Sequence, residues 1–172
     1  MKYSITSVFL LLFFLINEAN SANTVSDGQL PLQIDADSIQ HDDSRAVTKF
    51  IGNVVLIRGD LTLKGDSLIL NQTEEGLSFG RVIGSPAIFK TRRTLEDGWV
   101  EGQARRLDYD ERDSSFFLRG NARLVRKEKG KIKEEVSGDE LSYNSDSEIY
   151  KAVTEPGETR TRMTVIPQSS YE

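Results

Sequence analysis

The chain of 172 residues contains one histidine, His41, and no cysteine. Those counts remove most of the side chains that ligate transition metals or act as thiolate nucleophiles. No HExxH, no Cys/His cluster, no G-x-S-x-G and no G-x-x-x-x-G-K-[ST] occurs. The chain therefore lacks the written signatures of a zinc hydrolase, an elbow-type serine hydrolase or a phosphate-cradling NTPase. Carboxylates are numerous but sit in turn-like clusters, where solvation is their ordinary role. Asp42-Asp43 and Asp110-Glu111 are the pairs that could catch a cation, and Asn71-Gln72-Thr73 fits a glycosylation sequon. His41 occupies the place that Tyr109 and Tyr143 hold in related segments, which marks it as a wall residue rather than a catalyst. No reaction, metal or cofactor follows from these residues, and a non-enzymatic protein is expected.

The residues left to do chemistry are apolar, and they are patterned. Leu61-Thr62-Leu63, Leu68-Ile69-Leu70, Leu107-Asp108-Tyr109 and Leu141-Ser142-Tyr143 alternate with period two, the signature of half-buried strands. No stretch of residues 31–167 carries helical i, i+3, i+4 spacing. One short phrase recurs four times: Ala36-Asp37-Ser38-Ile39-Gln40-His41, Gly65-Asp66-Ser67-Leu68-Ile69-Leu70, Ala104-Arg105-Arg106-Leu107-Asp108-Tyr109 and Gly138-Asp139-Glu140-Leu141-Ser142-Tyr143. Each is followed by a polar cluster and a second run ending at a glycine: Gly52, Gly84, Gly120 and Gly157. Such repetition points to a wound or stacked architecture. Four segments of about four runs each predict sixteen short strands. A glycine inside a strand pattern marks a bulge or bend, so the expected fold is an all-β sheet curled back on itself around an interior.

Alternation then divides wet from greasy. Under a shift of 68 residues, Phe50, Val54 and Leu56 match Leu118, Ala122 and Leu124, and Ile39 and His41 match Leu107 and Tyr109. All of these are read as inward. In the second segment Gly84-Ser85-Pro86-Ala87-Ile88-Phe89 carries an extra residue and a proline, which cannot donate to a ladder. Ala87 and Phe89 are read as inward across a bulge, with inward Ile88 as the alternative. The inward set could pack against itself as a closed core or line an interior that holds a lipid.

Charge and the ends of the chain narrow the setting. The formal net charge is −5, with both signs interleaved, so the basic footprint of a nucleic-acid binder is missing. The same balance argues against lipid phosphates as the main attraction. Lys2, the apolar run Val8–Ile16 and the small residues around Ala19-Asn20-Ser21 read as a signal peptide over 1–21, cleaved after Ser21. The run is about half the length of a membrane span. Residues 22–30 read as a flexible lead-in, 31–167 as the β domain and 168–172 as a tail.

The ordered combination of Leu32-Gln33-Ile34-Asp35-Ala36-Asp37, Phe50-Ile51-Gly52-Asn53-Val54, Gly84-x-Pro86-Ala87-x-Phe89, Val100-Glu101-Gly102-x-Ala104, Leu118-Arg119-Gly120-Asn121-Ala122 and Thr161–Pro167 resembles the OstA-like family of lipopolysaccharide-transport proteins. The resemblance covers about residues 30–167. It implies a slightly twisted, open β-jellyroll of sixteen antiparallel strands that works in the periplasm, associated with both membranes through partners. It implies head-to-tail self-association and docking to related inner-membrane and outer-membrane jellyroll proteins, by strand addition at exposed edges. Lipopolysaccharide would be the cargo, with its lipid A acyl chains in a hydrophobic slot. By motif, Leu32, Ile34, Phe89 and Tyr109 would touch the lipid. Alternation adds Leu56, Leu61, Leu63, Leu68, Leu70, Leu107, Leu118, Leu124, Leu141 and Tyr143. Two other readings stay open: a membrane-anchored jellyroll subunit of the same pathway, and a structural or carbohydrate-binding β module that carries no lipid.

Overall fold

The computed structural model describes residues 30–73, 76–154, 157 and 160–167. The expected signal peptide, most of the lead-in and the tail beyond Pro167 lie outside the described residues. The fold is an open antiparallel sheet of ten strands, without helices among the described residues: β1 (Gln33–Asp35), β2 (Ser38–Asp42), β3 (Val47–Arg58), β4 (Leu61–Thr73), β5 (Gly76–Arg92), β6 (Trp99–Asp110), β7 (Ser115–Glu128), β8 (Lys131–Asn144), β9 (Ile149–Val153) and β10 (Arg162–Val165).

Strands β3 to β8 form a meander in which each pairs with the next. Both edges are split. β1 and β2 both lie on β3, and β9 and β10 both lie on β8. The sheet does not close into a barrel, so its outer edges keep unpaired backbone groups.

Ten continuous strands stand where sixteen short ones are expected, and the difference has a clear cause. The glycines kink the strands without ending them. The β3–β4 register jumps between Ile51 and Val54, setting Gly52-Asn53 against the single residue Asp66, and resumes on the far side. In the same way Gly120-Asn121 faces Asp139 across β7 and β8. Gly52, Asn53, Gly120 and Asn121 all take positive φ, 82°, 47°, 78° and 54°, a region that glycine and asparagine enter most readily. Gly84-Ser85-Pro86 is accommodated as the larger irregularity between Ile83 and Ala87, opposite Arg105. The repeated phrases supply the other side of these bends. Asp37 accepts from Asn53 Nδ2 at 2.9 Å while its own amide donates to Gly52 O at 3.0 Å.

The bends divide the sheet into two arms that fold face to face. Arm one holds residues 38–51, 67–71, 79–83, 106–119 and 140–153. Arm two holds residues 33–35, 54–65, 87–104, 122–138 and 162–165. One buried cluster joins them, from Phe50, Leu68, Leu107, Leu118 and Leu141 on arm one to Val54, Leu63, Phe89, Leu124 and Val136 on arm two. Burial on both inner faces supplies the main stabilisation of such a two-layer fold.

Candidate functional site

The interior between the arms gathers every residue named above as a lipid contact. Leu56, Leu61, Leu63, Leu68, Leu70, Phe89, Leu107, Tyr109, Leu118, Leu124, Leu141 and Tyr143 are buried in one cluster, and Leu32 and Ile34 pack against it partly buried. The pairing explains the coherence. Residues opposite each other on antiparallel strands share a face, and Leu56 faces Leu63, Leu63 faces Phe89, Phe50 faces Leu68, and Leu118 faces both Leu107 and Leu141. Ala87 and Phe89 are fully buried while Ile88 is only partly so, which settles the orientation of that segment.

An aromatic stack crosses from one arm to the other. Phe89 of arm two lies 4.2 Å from Phe116 of arm one at an interplanar angle of 12°, and Tyr109 lies 4.7 Å from Phe116 on its other side. Tyr143 flanks both phenylalanines at about 6 Å. Phe116 is the member that the sequence reading does not name, although counting back two from Leu118 selects it. Val82, Val100, Ala104 and Val136 also join the cluster. Gly102 faces Phe89 in the register, and a Cβ there would collide with the phenylalanine ring. The missing side chain is the seat of the ring.

Two residues expected inward take the inner face without being buried. Ile39 faces buried Phe50, so it lies on the inner face, yet it is 61% exposed. His41 is exposed too, its ring nitrogens 2.8 Å from Thr48 Oγ1 and from Asp43 Oδ1. Both sit on the edge strand β2, and no described residue covers them from beyond it. The opposite edge behaves alike: Met163 faces buried Val136 and is 55% exposed. The apolar face thus runs past the packed core at both edges of the sheet.

The third opening is the seam where the strand ends of the two arms meet, opposite the bends. A cavity of about 470 Å³ lies there, floored by Leu61, Tyr109 and Phe116 and rimmed by polar side chains. Two hydrogen-bonded ion pairs span the seam, and Arg126 Nη2 lies 3.9 Å from Glu148 Oε2 as a looser third. Arg58 of β3 donates through Nη1 to Glu111 Oε1 in the β6–β7 turn. Arg93, just after β5, donates to Glu148 Oε2 in the β8–β9 turn, at 2.9 Å from Nε and 2.6 Å from Nη2. The two carboxylates differ. Burial pushes Glu111 up, and Arg58 only partly opposes it. Glu148 is also buried, but the Leu95 amide at 2.7 Å and the Arg93 guanidinium hold it below the usual range. Arg58 Nε, Glu111 Oε2 and the Tyr143 hydroxyl are buried at the seam without a hydrogen-bond partner among the described residues. Burial, with Glu148 near, raises the Tyr143 phenol to about 12. Unmet polar groups of this kind are costly, so the seam is where the two-arm packing is least satisfied.

The carboxylate pairs expected as cation candidates serve the turns and the seam. Asp42 accepts from the Ser44 amide at 3.0 Å and its hydroxyl at 2.6 Å. Asp110 accepts from Arg112, and Glu111 is spent on Arg58. No cluster of three metal-ligating side chains occurs among the described residues.

Comparison with known proteins agrees with this architecture. The chain is 23% identical over 128 residues to the lipopolysaccharide export system protein LptH of Pseudomonas aeruginosa, covering 74% of this chain and 70% of the relative. It is 23% identical over 168 residues to the lipopolysaccharide export system protein LptA of Haemophilus influenzae, covering 95% and 93%. The crystal structure of P. aeruginosa LptH, described as the LptA-homologous periplasmic component of the lipopolysaccharide transport device, superposes with a TM-score of 0.74 at 22% identity, over 83% of this chain and 100% of that one. The family model described as LptA/(LptD N-terminal domain) LPS transport protein matches residues 33–149, and the chain belongs to that family.

Proposed function

We propose that this protein is a periplasmic lipopolysaccharide carrier that holds the acyl chains of lipid A between its two arms and leaves the saccharide outside. One observation carries the reading: the seam cavity has a charged rim and an apolar floor continuous with the buried interior. An amphiphile fits such a mouth with its chains inward and its head at the rim. Loading spreads the arms and opens the Arg58–Glu111 and Arg93–Glu148 pairs. Burial of an acyl chain of about ten methylenes gains on the order of 8 kcal/mol relative to water at about 0.8 kcal/mol each. Relative to a membrane the gain vanishes, so transfer between similar slots is close to neutral and direction comes from an external energy source.

The split edges fit a bridge. Ile39 and Met163 extend the inner face to opposite edges of the sheet, and strand addition there would continue the slot into a neighbour. We read the neighbours as further copies joined head to tail and as the inner-membrane and outer-membrane jellyroll proteins of the same export system. Counted by arms, six bent strands and four short ones make a jellyroll of sixteen segments in four repeated units. The N-terminal 21 residues are read as a cleaved signal peptide that delivers the chain to the periplasm.

The test places a photo-cross-linking amino acid at Phe89, at Leu63 and, as an outward control, at Arg123, in cells. Lipopolysaccharide adducts are expected at the first two and not at the third. Folded protein with adducts at none would overturn the carrier reading and leave a structural module.

A further inference from the structure

The outer face of arm one carries an arrangement that the slot does not use. Asp108 lies between inward-facing Leu107 and Tyr109, so its side chain points away from the interior, yet the residue is only 3% exposed. Three guanidiniums cover it. Arg81, opposite Asp108 in the register, donates Nε–H to Oδ1 at 2.7 Å. Arg106 donates through Nε and Nη2 to Oδ2 at 2.9 and 2.6 Å. Arg119, opposite Arg106 on β7, donates Nη1–H to Oδ2 at 2.9 Å. Burial alone would raise the Asp108 pKa, but the hydrogen bonds from Arg106 and Arg81 outweigh it and hold the carboxyl below its ordinary range.

Asp108 alone cannot neutralise three guanidiniums: the array keeps an excess of one positive charge with Glu140 counted and of two once Glu140 is displaced, on a chain whose net charge is −5. The arginines are immobilised on Asp108, yet their side chains remain 38%, 36% and 44% exposed. Donors that Asp108 does not use remain on each. Among the described residues the other carboxylate in reach is Glu140, 3.2 Å from Arg119 Nε and 55% exposed, a surface pair that costs little to displace. A lone buried carboxylate would be cheaper to replace by an apolar residue than to ring with three arginines.

We propose that Arg81, Arg106 and Arg119, organised by Asp108, form a binding site for a phosphomonoester on the outside of the slot. The charges match, because a phosphomonoester carries about −1.5 to −2 near neutral pH. The geometry matches too, since planar guanidinium forks pair with phosphate oxygens and a pre-fixed fork loses little freedom on binding. Half-exposed Phe117 beside Asp108 and Ile83 beside Arg106 flank the array with apolar surface, which suits the carbon-rich face of a phosphorylated sugar. The phosphate could belong to the saccharide of a glycolipid carried in the slot, in which case the site rests on the carrier reading, or it could be free phosphate.

The experiment compares the protein with its R81Q/R119Q variant, in which Arg106 still holds Asp108 by two hydrogen bonds. Binding is measured to lipopolysaccharide, to the same lipopolysaccharide after phosphatase treatment, and to inorganic phosphate; adducts from a cross-linker at Phe89 are scored in parallel. The variant is expected to bind the phosphorylated glycolipid on the order of tenfold more weakly, to bind the dephosphorylated form as the parent does, and to keep its Phe89 adducts. Loss of inorganic phosphate binding alone assigns the site to free phosphate. Loss of phosphate-dependent binding without Phe89 adducts in the parent sinks the carrier reading and leaves the site standing. Equal binding of all ligands by parent and variant overturns the proposal. R81K/R119K keeps the charge and serves the same comparison should the glutamine pair fail to fold; losing the forks alone is expected to cost a smaller factor.

Discussion

Replacing Phe89 by alanine separates a lipid-holding interior from a core that serves only itself. Phe89 is fully buried and sits at the centre of the contact between the arms, stacked on Phe116 at 4.2 Å and seated over Gly102. Truncation of such a phenylalanine costs about 3–5 kcal/mol, the lost transfer energy plus the cavity left behind. The stacked partner places this site toward the upper end, since aromatic pairs add about 0.5–1.5 kcal/mol beyond burial. For a domain of this size about 4 kcal/mol corresponds to a fall in Tm of roughly 8–16 °C. Urea and thermal unfolding of the parent and Phe89→Ala measure it. The second half of the experiment adds lipopolysaccharide below its aggregation limit. The vacated space is apolar and adjoins Phe116, which lines the seam cavity, so an acyl chain entering there can fill it, and the variant should recover a larger share of its stability than the parent gains. A loss under about 1 kcal/mol would refute the packing described here. A full loss with no lipid-dependent recovery would show an interior that packs only against itself.

Other consequences concern the seam, the bends and the seat of the stack. Arg58→Gln strands buried Glu111 and should cost about 2–4 kcal/mol, the range for breaking a buried pair with some access to water. Glu111 has a folded pKa above its unfolded value, so its protonated form favours the fold and that contribution is lost as pH rises from the ordinary glutamate value through the folded pKa. Removing Arg58 raises the folded pKa further; the variant should lose stability more steeply than the parent above about pH 5, and adding Glu111→Gln should flatten the profile, as pH-dependent urea unfolding would reveal. Gly120→Ala places a side chain at φ +78° and against the Arg105 guanidinium, and a loss of about 1–2 kcal/mol is expected by thermal unfolding; an unchanged Tm would contradict the bend geometry. Gly102→Ala should cost about 1–3 kcal/mol by overpacking the Phe89 seat and weaken the near-ultraviolet circular dichroism of the stack.

Much of this was legible in the sequence because period-two alternation is a local property that burial enforces at every strand. Leu63, Leu68, Leu118 and Leu124 could be assigned to one face without knowing which strands pair. The glycine bends were legible too, since Gly-Asn inside an apolar run has few other uses. What alternation could not supply was continuity: Gly52 and Gly120 look like strand ends in one dimension, whereas the ladder resumes beyond them. Edge position was equally hidden. Ile39 has the same local pattern as Leu107 but lies on an outer strand, so no further described strand covers it. The seam pairs and the Asp108 array escaped for a different reason. Arg58 and Glu111 are 53 residues apart, and Asp108 collects arginines from three strands; each charge alone reads as a solvated surface residue.

The most direct test of the central claim locates the acyl chain among the methyl groups. Lipopolysaccharide carrying a nitroxide midway along one acyl chain is bound to protein labelled at its leucine and isoleucine methyls, and paramagnetic broadening is read by NMR. Broadening is expected at Leu63, Leu68, Leu107, Leu118 and Leu124, buried between the arms, with outward-facing Ile57, Ile83 and Ile149 left sharp. Broadening confined to the outward isoleucines, or absent everywhere despite binding, would contradict the central claim.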